Sequence, residues 1–513
     1  MLLSMSFTNL ACFGIAFLVI RFLTTLFKSP SFLIPGPILA RFTNVWYLWQ
    51  MKRGDFHHTN IRLHQENGSI VRIAPNYYSI SDPAAIKTIY GHGSRFEKSE
   101  WYDAWNFGPT SGFTNLFSER SSKKHAEDRR KVASMYSMTS LVSYEPLVDN
   151  CIEIFKKRLH EISTYGRSID MAHWMQCYAF DVIGEITVLI NYPHFISIFT
   201  NEEKKKFGSR FGFLEAGNDI GGVMESIDSG LTVSSYLGLY SWIYPSYLWI
   251  SRKLGLGQTF ATQFTFQHIQ ETKATMKNHS ADLPSHMAMK LVQKQTQNPH
   301  DLSDWDVLST AGSNVGAGSD TTAISLSSTL YYLLRNPECL ARLRKEIEDS
   351  GVGSSPTFKE TQAMPYLQAV FKEAFRVHPG TGYPLFRTVP KGGEVIAGQF
   401  FPEGVNVGVN SWVSHYDKDI FGQDADIFRP ERWLESNKEQ LIAMEQNYMP
   451  FGAGSRTCIG KNISLLEMGK LMPILVRDFD FVLSRKIEQE SWATRARWFV
   501  KPQDFEVGVR RRV

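Results

Sequence analysis

At 513 residues, with 43% hydrophobic and 13% aromatic side chains, the chain can bury a large core, and only 21% charged residues exclude a disordered polyelectrolyte. A formal charge of +4, spread along the chain without a basic run, excludes a nucleic-acid partner. Five cysteines, Cys12, Cys151, Cys177, Cys339 and Cys458, show neither zinc spacing nor a disulfide framework and read as reduced thiols of the cytosol.

Leu2 to Phe27 is a 26-residue apolar run with Arg21 as its only charge. As a helix it would extend roughly 39 Å, more than a hydrocarbon layer of ~30 Å, and Arg21 lies close enough to its end to snorkel. A cleaved signal peptide needs a basic start and a small-residue cleavage site, and neither is clear. Residues 1–28 are therefore expected to be a retained transmembrane anchor. Lys28, Arg41, Lys52 and Arg53 follow it and place the body on the cytosolic side. Residues 29–41, with Ile34-Pro35-Gly36-Pro37, form a hinge, and 42–513 reads as one large domain without repeats or an internal linker.

Within that domain Val71 to Ile80 partly alternates and breaks at Pro75, which predicts a strand pair. Helical patterns follow over Leu147 to Ile162 and Met171 to Thr187. The nineteen residues from Val188 to Lys206 then interrupt what reads as a continuous helix-to-loop ending into Phe207 to Phe213. Two readings stand for 188–206. It is a retained intron, since its ends are compatible with splice-site codons and Thr200-Asn201 with a fungal branch point, or it is a true loop insertion; the transcript decides.

Further helices are predicted over Thr259 to Met276, Trp305 to Arg335, Pro337 to Ser350 and Met364 to Val377, and short β-prone pieces over Tyr383 to Pro390 and Glu394 to Trp412. The long helix from Trp305 contains Ala317-Gly318-Ser319-Asp320-Thr321-Thr322, poor helix formers that predict a kink or local widening, with an acid next to an alcohol. Such a pair suits proton delivery, the hydroxyl relaying protons from a carboxylate kept near solvent. Alternatively, the Ser and Thr residues simply bond back to helix carbonyls. Glu373 and Arg376 share one helix face, and Arg432, in Phe428-Arg429-Pro430-Glu431-Arg432-Trp433, is placed to join them.

The sharpest signal is Phe451-Gly452-Ala453-Gly454-Ser455-Arg456-Thr457-Cys458-Ile459-Gly460. Gly454 and Gly460 permit tight turning and close approach to a flat ligand, and Arg456 supplies a cation for a carboxylate. A helix begins after Cys458, and its first amides are expected to lower the thiol pKa and hold a thiolate. A thiolate on haem iron is the electronic requirement of an oxygenase. His125 and Arg129, four apart on a helix, and Arg387, on a strand, could then reach haem carboxylates. Lys123, Lys124, Arg130 and Lys131 lie near the same segment and would steer an acidic electron donor.

In this order and at these distances the cysteine loop, the Glu373, Arg376 and Arg432 set and the Asp320-Thr321 helix resemble microsomal cytochrome P450 enzymes, over roughly Pro35 to Arg511. Many of those enzymes carry tryptophan where His125 stands. The resemblance implies a triangular, mainly α domain with a small β region, and haem b with Cys458 as axial ligand. It implies Phe451, Gly454, Arg456 and Gly460 around the haem, and Glu373, Arg376 and Arg432 as a structural triad. Electrons would come from NADPH through a flavoprotein reductase at the endoplasmic reticulum membrane. The expected activity is insertion of one oxygen atom of O2 into a hydrophobic small molecule, in the manner of fungal secondary metabolism. Lining side chains would come from Trp101 to Leu116, Phe211 to Leu239, Ser313 to Thr321 and Tyr383 to Phe386. The rivals are a haem-thiolate isomerase or peroxide-using enzyme without a reductase, and a non-catalytic haem sensor or electron carrier.

Overall fold

In a computed structural model of the chain, the described residues are 33–106, 114–187, 211–254, 286–489 and 492–512, with pieces between 13 and 21 and between 265 and 274. The principal helices are α1 (Val45–Arg53), α2 (Phe56–Asn67), α3 (Pro83–Tyr90), α4 (Ser122–Val132), α5 (Met138–Tyr165), α6 (Met171–Thr187), α7 (Val223–Gly238), α8 (Tyr244–Lys253) and α9 (Met287–Gln297). They continue with α10 (Asp304–Arg335), α11 (Pro337–Asp349), α12 (Pro365–Val377), α13 (Lys438–Asn447) and α14 (Lys461–Asp478). The strands are β1 (Ile70–Ala74), β2 (Tyr77–Ile80), β3 (Glu97–Lys98), β4 (Ser168–Asp170), β5 (Arg387–Thr388), β6 (Glu394–Ile396), β7 (Gln399–Phe401), β8 (Asn406–Val409), β9 (Phe479–Leu483), β10 (Thr494–Ala496), β11 (Val500–Pro502) and β12 (Glu506–Arg511).

The largest sheet has the order β1-β2-β8-β5-β3, with β2 and β8 parallel and the other pairs antiparallel. The expected break at Pro75 is the turn between β1 and β2. The expected start of α5 after Pro146 is overturned: the Ser137 hydroxyl accepts the Ser140 amide, so the helix begins at Met138. Buried Leu141 and Tyr144 hold those added turns although Pro146 lacks an amide. The helix expected over Thr259 to Met276 lies mainly outside the described residues.

The core is built around α10, which a reciprocal Ser303 and Asp306 cap starts and which packs chiefly on α6. α6 is buried along most of its length. α10 is α-helical throughout, so the expected local widening at Gly318 is not formed. The glycine instead serves close packing, since a Cβ there would lie 2.9 Å from Cγ1 of Ile183 on α6. At the end of α6, the Phe211 ring fills the space over Gly184, and buried Asp181 accepts the Phe213 and Leu214 amides at 3.1 and 2.8 Å. The chain is thus pinned on either side of residues 188–206, which lie outside the described residues.

The amide of Arg72 on β1 donates to Pro35 O at 2.8 Å, laying the Pro-Gly-Pro segment against the sheet. Most of 1–28 lies outside the described residues, among which no helix is long and apolar enough to cross a membrane. The described residues between Phe13 and Arg21 are helical, with Phe13, Phe17 and Ile20 exposed.

Candidate active site

The loop before α14 closes where the Cys458 amide donates to Phe451 O at 2.9 Å. Gly454 sits at φ 62°, and a Cβ there would fall 1.8 Å from Tyr90 O, so neither the backbone nor the space admits another residue. The Cβ position at Gly460 lies 4.0 Å from Cys458 Sγ. The Phe451 ring stands edge-on to Phe375 at 5.0 Å. Cys458 presents surface outward, although protein encloses it at longer range. Burial pushes its thiol pKa up, outweighing the opposing amides of Gly460 and Lys461 and the Arg129 charge. The expected depression is therefore reversed in the protein alone; a coordinated metal cation is what would deprotonate the sulfur.

Beside this loop, cations converge. β3 and β5 place Lys98 directly opposite Arg387, both buried. Like charges facing each other across an antiparallel pair are destabilising. Arg387 spans the rings of Tyr90 and Tyr102 at 5.0 and 5.9 Å, and the Lys98 ammonium lies 4.3 Å from the Tyr102 ring. Burial, then Arg387 and Arg456, holds the Lys98 pKa well below its usual value. His125, buried on α4, is pushed down to about 3 by burial and by Arg456, Lys98 and Arg129, so its ring is neutral. Arg456 donates to Glu119 O and Arg120 O at 2.6 and 2.8 Å, and Arg129 donates to Thr457 O at 2.7 Å. The nearby carboxylate of Glu119 is already engaged by Lys124 at 2.8 Å and by the Ser121 amide.

A buried set of mutually repelling cations next to an outward-facing cysteine fits a flat metal-bearing ligand that carries carboxylates. A consequence can be measured on this set. Lys98→Met should raise the melting temperature of the haem-free chain by relieving the facing Arg387, and should weaken haem retention. The affinity loss should be roughly ten- to a hundredfold, the worth of one charge-assisted hydrogen bond. Spectral titration of the haem-free variant checks it.

Glu373, Arg376 and Arg432 come together in full burial. Arg376 reaches Glu373 at 2.7 Å and Arg432 reaches it at 3.2 Å. Trp433 Nε1 and the Arg429 amide also donate to Glu373, both at 2.9 Å, and Arg376 further donates to His415 O and Ala425 O at 2.9 and 2.5 Å. Arg432 continues to Asp424 at 2.8 Å. Burial works against ionisation of Asp424, but Arg432 and Arg429 outweigh it and hold its pKa down to about 2. A depressed carboxyl contributes stability that is present above its unfolded pKa and lost as pH falls through the folded value. Melting temperatures measured from about pH 5 to pH 2 should accordingly fall less steeply in Asp424→Asn.

On α10, Ala317 is exposed and Thr321 is partly exposed on the same face, with Thr321 Oγ1 donating to Ala317 O at 2.8 Å. Ser319 and Ser325 bond back to Val315 O and Thr321 O in the same manner. Asp320 is not near solvent as expected. It is 1% exposed, accepts from Gln176 Nε2 at 2.5 Å, and pairs with Lys501 at 2.8 Å. Consecutive helix residues point about 100° apart, which turns the acid toward α6 and β11 and the alcohol toward the open face. The basic residues of α4 are partly neutralised: Lys124 pairs with Glu119, and Lys131 with Asp128 at 2.8 Å.

The family model described as Cytochrome P450 matches residues 35–505. The chain belongs to the cytochrome P450 family. A pisatin demethylase of Fusarium vanettenii is 39% identical over 95% of this chain and 90% of its own length. The cytochrome P450 monooxygenase cicH of Emericella nidulans is 36% identical over 93% of each chain. The cytochrome P450 monooxygenase gsfF of Penicillium aethiopicum is 32% identical over 97% of each. The chain is thus a P450 monooxygenase, an oxidoreductase whose family implies a haem cofactor, O2 and a bound substrate.

Sequence reasoning passed over Lys98 and Lys501. Lys98 gains meaning only from the β3 to β5 register, and Lys501 only from the packing of the C-terminal hairpin on α10. No local signal marks either.

Proposed function

We propose that this P450 inserts one oxygen atom of O2 into a hydrophobic small molecule of fungal secondary metabolism, with electrons from NADPH through a flavoprotein reductase. The observation that carries this reading is the outward-facing Cys458 beside the buried, mutually opposed cations Lys98 and Arg387. Cys458 would ligate the haem b iron, and Lys98, His125, Arg129, Arg387 and Arg456 would hold its carboxylates. Phe451, Gly454 and Gly460 shape the loop, and Glu373, Arg376 and Arg432 brace it. When bound, the haem supplies reductive activation of O2 and transfer of one oxygen atom to carbon.

The protein's own part is to place the substrate and to move protons. Thr321, on the open face of α10, donates or relays a proton toward the reacting oxygen, and Asp320 replenishes it. The apolar face of the helical pieces between Phe13 and Arg21 supports a membrane anchor, with the body on the cytosolic side of the endoplasmic reticulum, where a membrane-bound reductase can meet the basic face of α4. The names of the relatives support a secondary metabolite as substrate.

Reconstitution with a P450 reductase and NADPH, followed by mass spectrometry of extracts, tests the reading. A product heavier by one oxygen, or a dealkylated one, formed only with NADPH is expected. Turnover that continues without NADPH would favour an isomerase or peroxide-using enzyme instead.

A further inference from the structure

A cluster of metal-binding side chains stands at the start of α2 and shares no residue with the haem site. Asp55, His57 and His58 each offer one ligand atom, and these atoms lie within 4.8 Å of one another. Consecutive helix residues point about 100° apart, so neighbouring imidazoles do not meet by default. Here the two ring centroids are 4.1 Å apart, and Trp412 stands edge-on to both, 4.6 Å from His57 and 5.5 Å from His58. His57 is fully buried, Asp55 is half-buried and His58 opens to solvent, which gives an ion a way in. A second observation comes from His57 itself. Its Nε2 lies 3.0 Å from Thr494 Oγ1 on β10. With Nε2 donating to that hydroxyl, Nδ1 carries the lone pair of the ring, and Nδ1 is buried with no hydrogen-bond partner among the described residues. A buried polar atom is costly to leave unpaired, and a bound ion would satisfy it.

We propose that Asp55, His57 and His58 form a site for one divalent transition ion of the zinc class. Two imidazoles and a carboxylate are the donors such an ion takes, whereas calcium and magnesium call for cages of oxygen. Burial, then His58 and His378, keeps the His57 pKa well below its usual value, and burial lowers that of His58 against the pull of the Asp55 carboxylate. Both rings are therefore neutral at neutral pH, the form that binds a metal. Thr494 is the outer partner that fixes the His57 tautomer. The positive end of α2 opposes a cation here, so binding depends on the charge of Asp55. Gly54 O also accepts the Ala496 amide at 2.8 Å, so the ion would reinforce the joint between the first turn of α2 and the β10–β11 hairpin.

The test uses full-length, haem-loaded protein in detergent, stripped with a chelator and then titrated with zinc chloride by calorimetry and equilibrium dialysis. Wild type should take up one zinc per haem. His58→Ala should weaken that binding by at least about a hundredfold, and Asp55→Asn should weaken it as well. Neither position is fully buried, so both variants should fold, and haem content equal to wild type checks that they do. Zinc at about a hundredfold excess over its dissociation constant should raise the melting temperature of wild type by a few degrees and leave that of His58→Ala in place. X-ray absorption of the bound zinc should show nitrogen and oxygen neighbours without sulfur. Wild type that binds no zinc, zinc held equally well by both variants, or sulfur among its neighbours would each overturn the proposal.

Discussion

Glu373→Ala is expected to abolish soluble, haem-loaded protein. Glu373 is fully buried and is the one anion set between Arg376 and Arg432, with Trp433 and the Arg429 amide as further donors. Removing it leaves Arg376 buried without an anion and Arg432 with Asp424 alone. Breaking a buried pair in this way costs about 3–5 kcal/mol, a large share of a stability that is typically only 5–15 kcal/mol. Glu373→Gln keeps the volume and some hydrogen bonds, and its loss should lie between those of wild type and alanine. Haem content per chain and melting temperature after expression check the order. Glu373→Ala protein with wild-type haem content would contradict the bracing role, because Arg376 also ties together the carbonyls of His415, Ala425 and Ile427 near the loop.

The second large effect is expected at Thr321. Among the described residues its hydroxyl bonds only back to Ala317 within its own helix, so Thr321→Ala should change stability by no more than about 0.5 kcal/mol, as surface substitutions do. Product formed per NADPH should nevertheless fall by on the order of 10²-fold, the lower range for general acid catalysis, with the missing electrons recovered as peroxide. Serine at 321 retains the hydroxyl and should recover most of the coupling. Parallel assays of NADPH, peroxide and product measure this directly. Equal coupling in Thr321→Ala would leave the alcohol with the structural role that its bond to Ala317 already provides.

The two residues illustrate what a sequence makes legible. Glu373 and Arg376 sit one helical turn apart, and the Phe451 to Gly460 loop is contiguous, so spacing brought each set together, while the triad itself came from the resemblance to the family. α6 was predicted at its observed start, Met171, because its apolar run is long and Asp170 precedes it. The direction of the Asp320 side chain was not readable. Its neighbour Thr321 faces the open side, and only the arrival of β11 reveals that Asp320 is ion-paired and buried. At Cys458 the helix amides do pull the thiol pKa down, but the burial that outweighs them in the protein alone comes from the whole fold and has no local signal. The packing role of Gly318 was likewise not readable, since it depends on the approach of Ile183 from α6.

The most direct test of the account is the absorption spectrum of the full chain in detergent, reduced under carbon monoxide, beside Cys458→Ser. Thiolate ligation by Cys458 predicts a strongly red-shifted Soret band in the wild type that is absent in the variant. A band at the position of histidine-ligated haem in the wild type, or a red-shifted band that survives in Cys458→Ser, would contradict it.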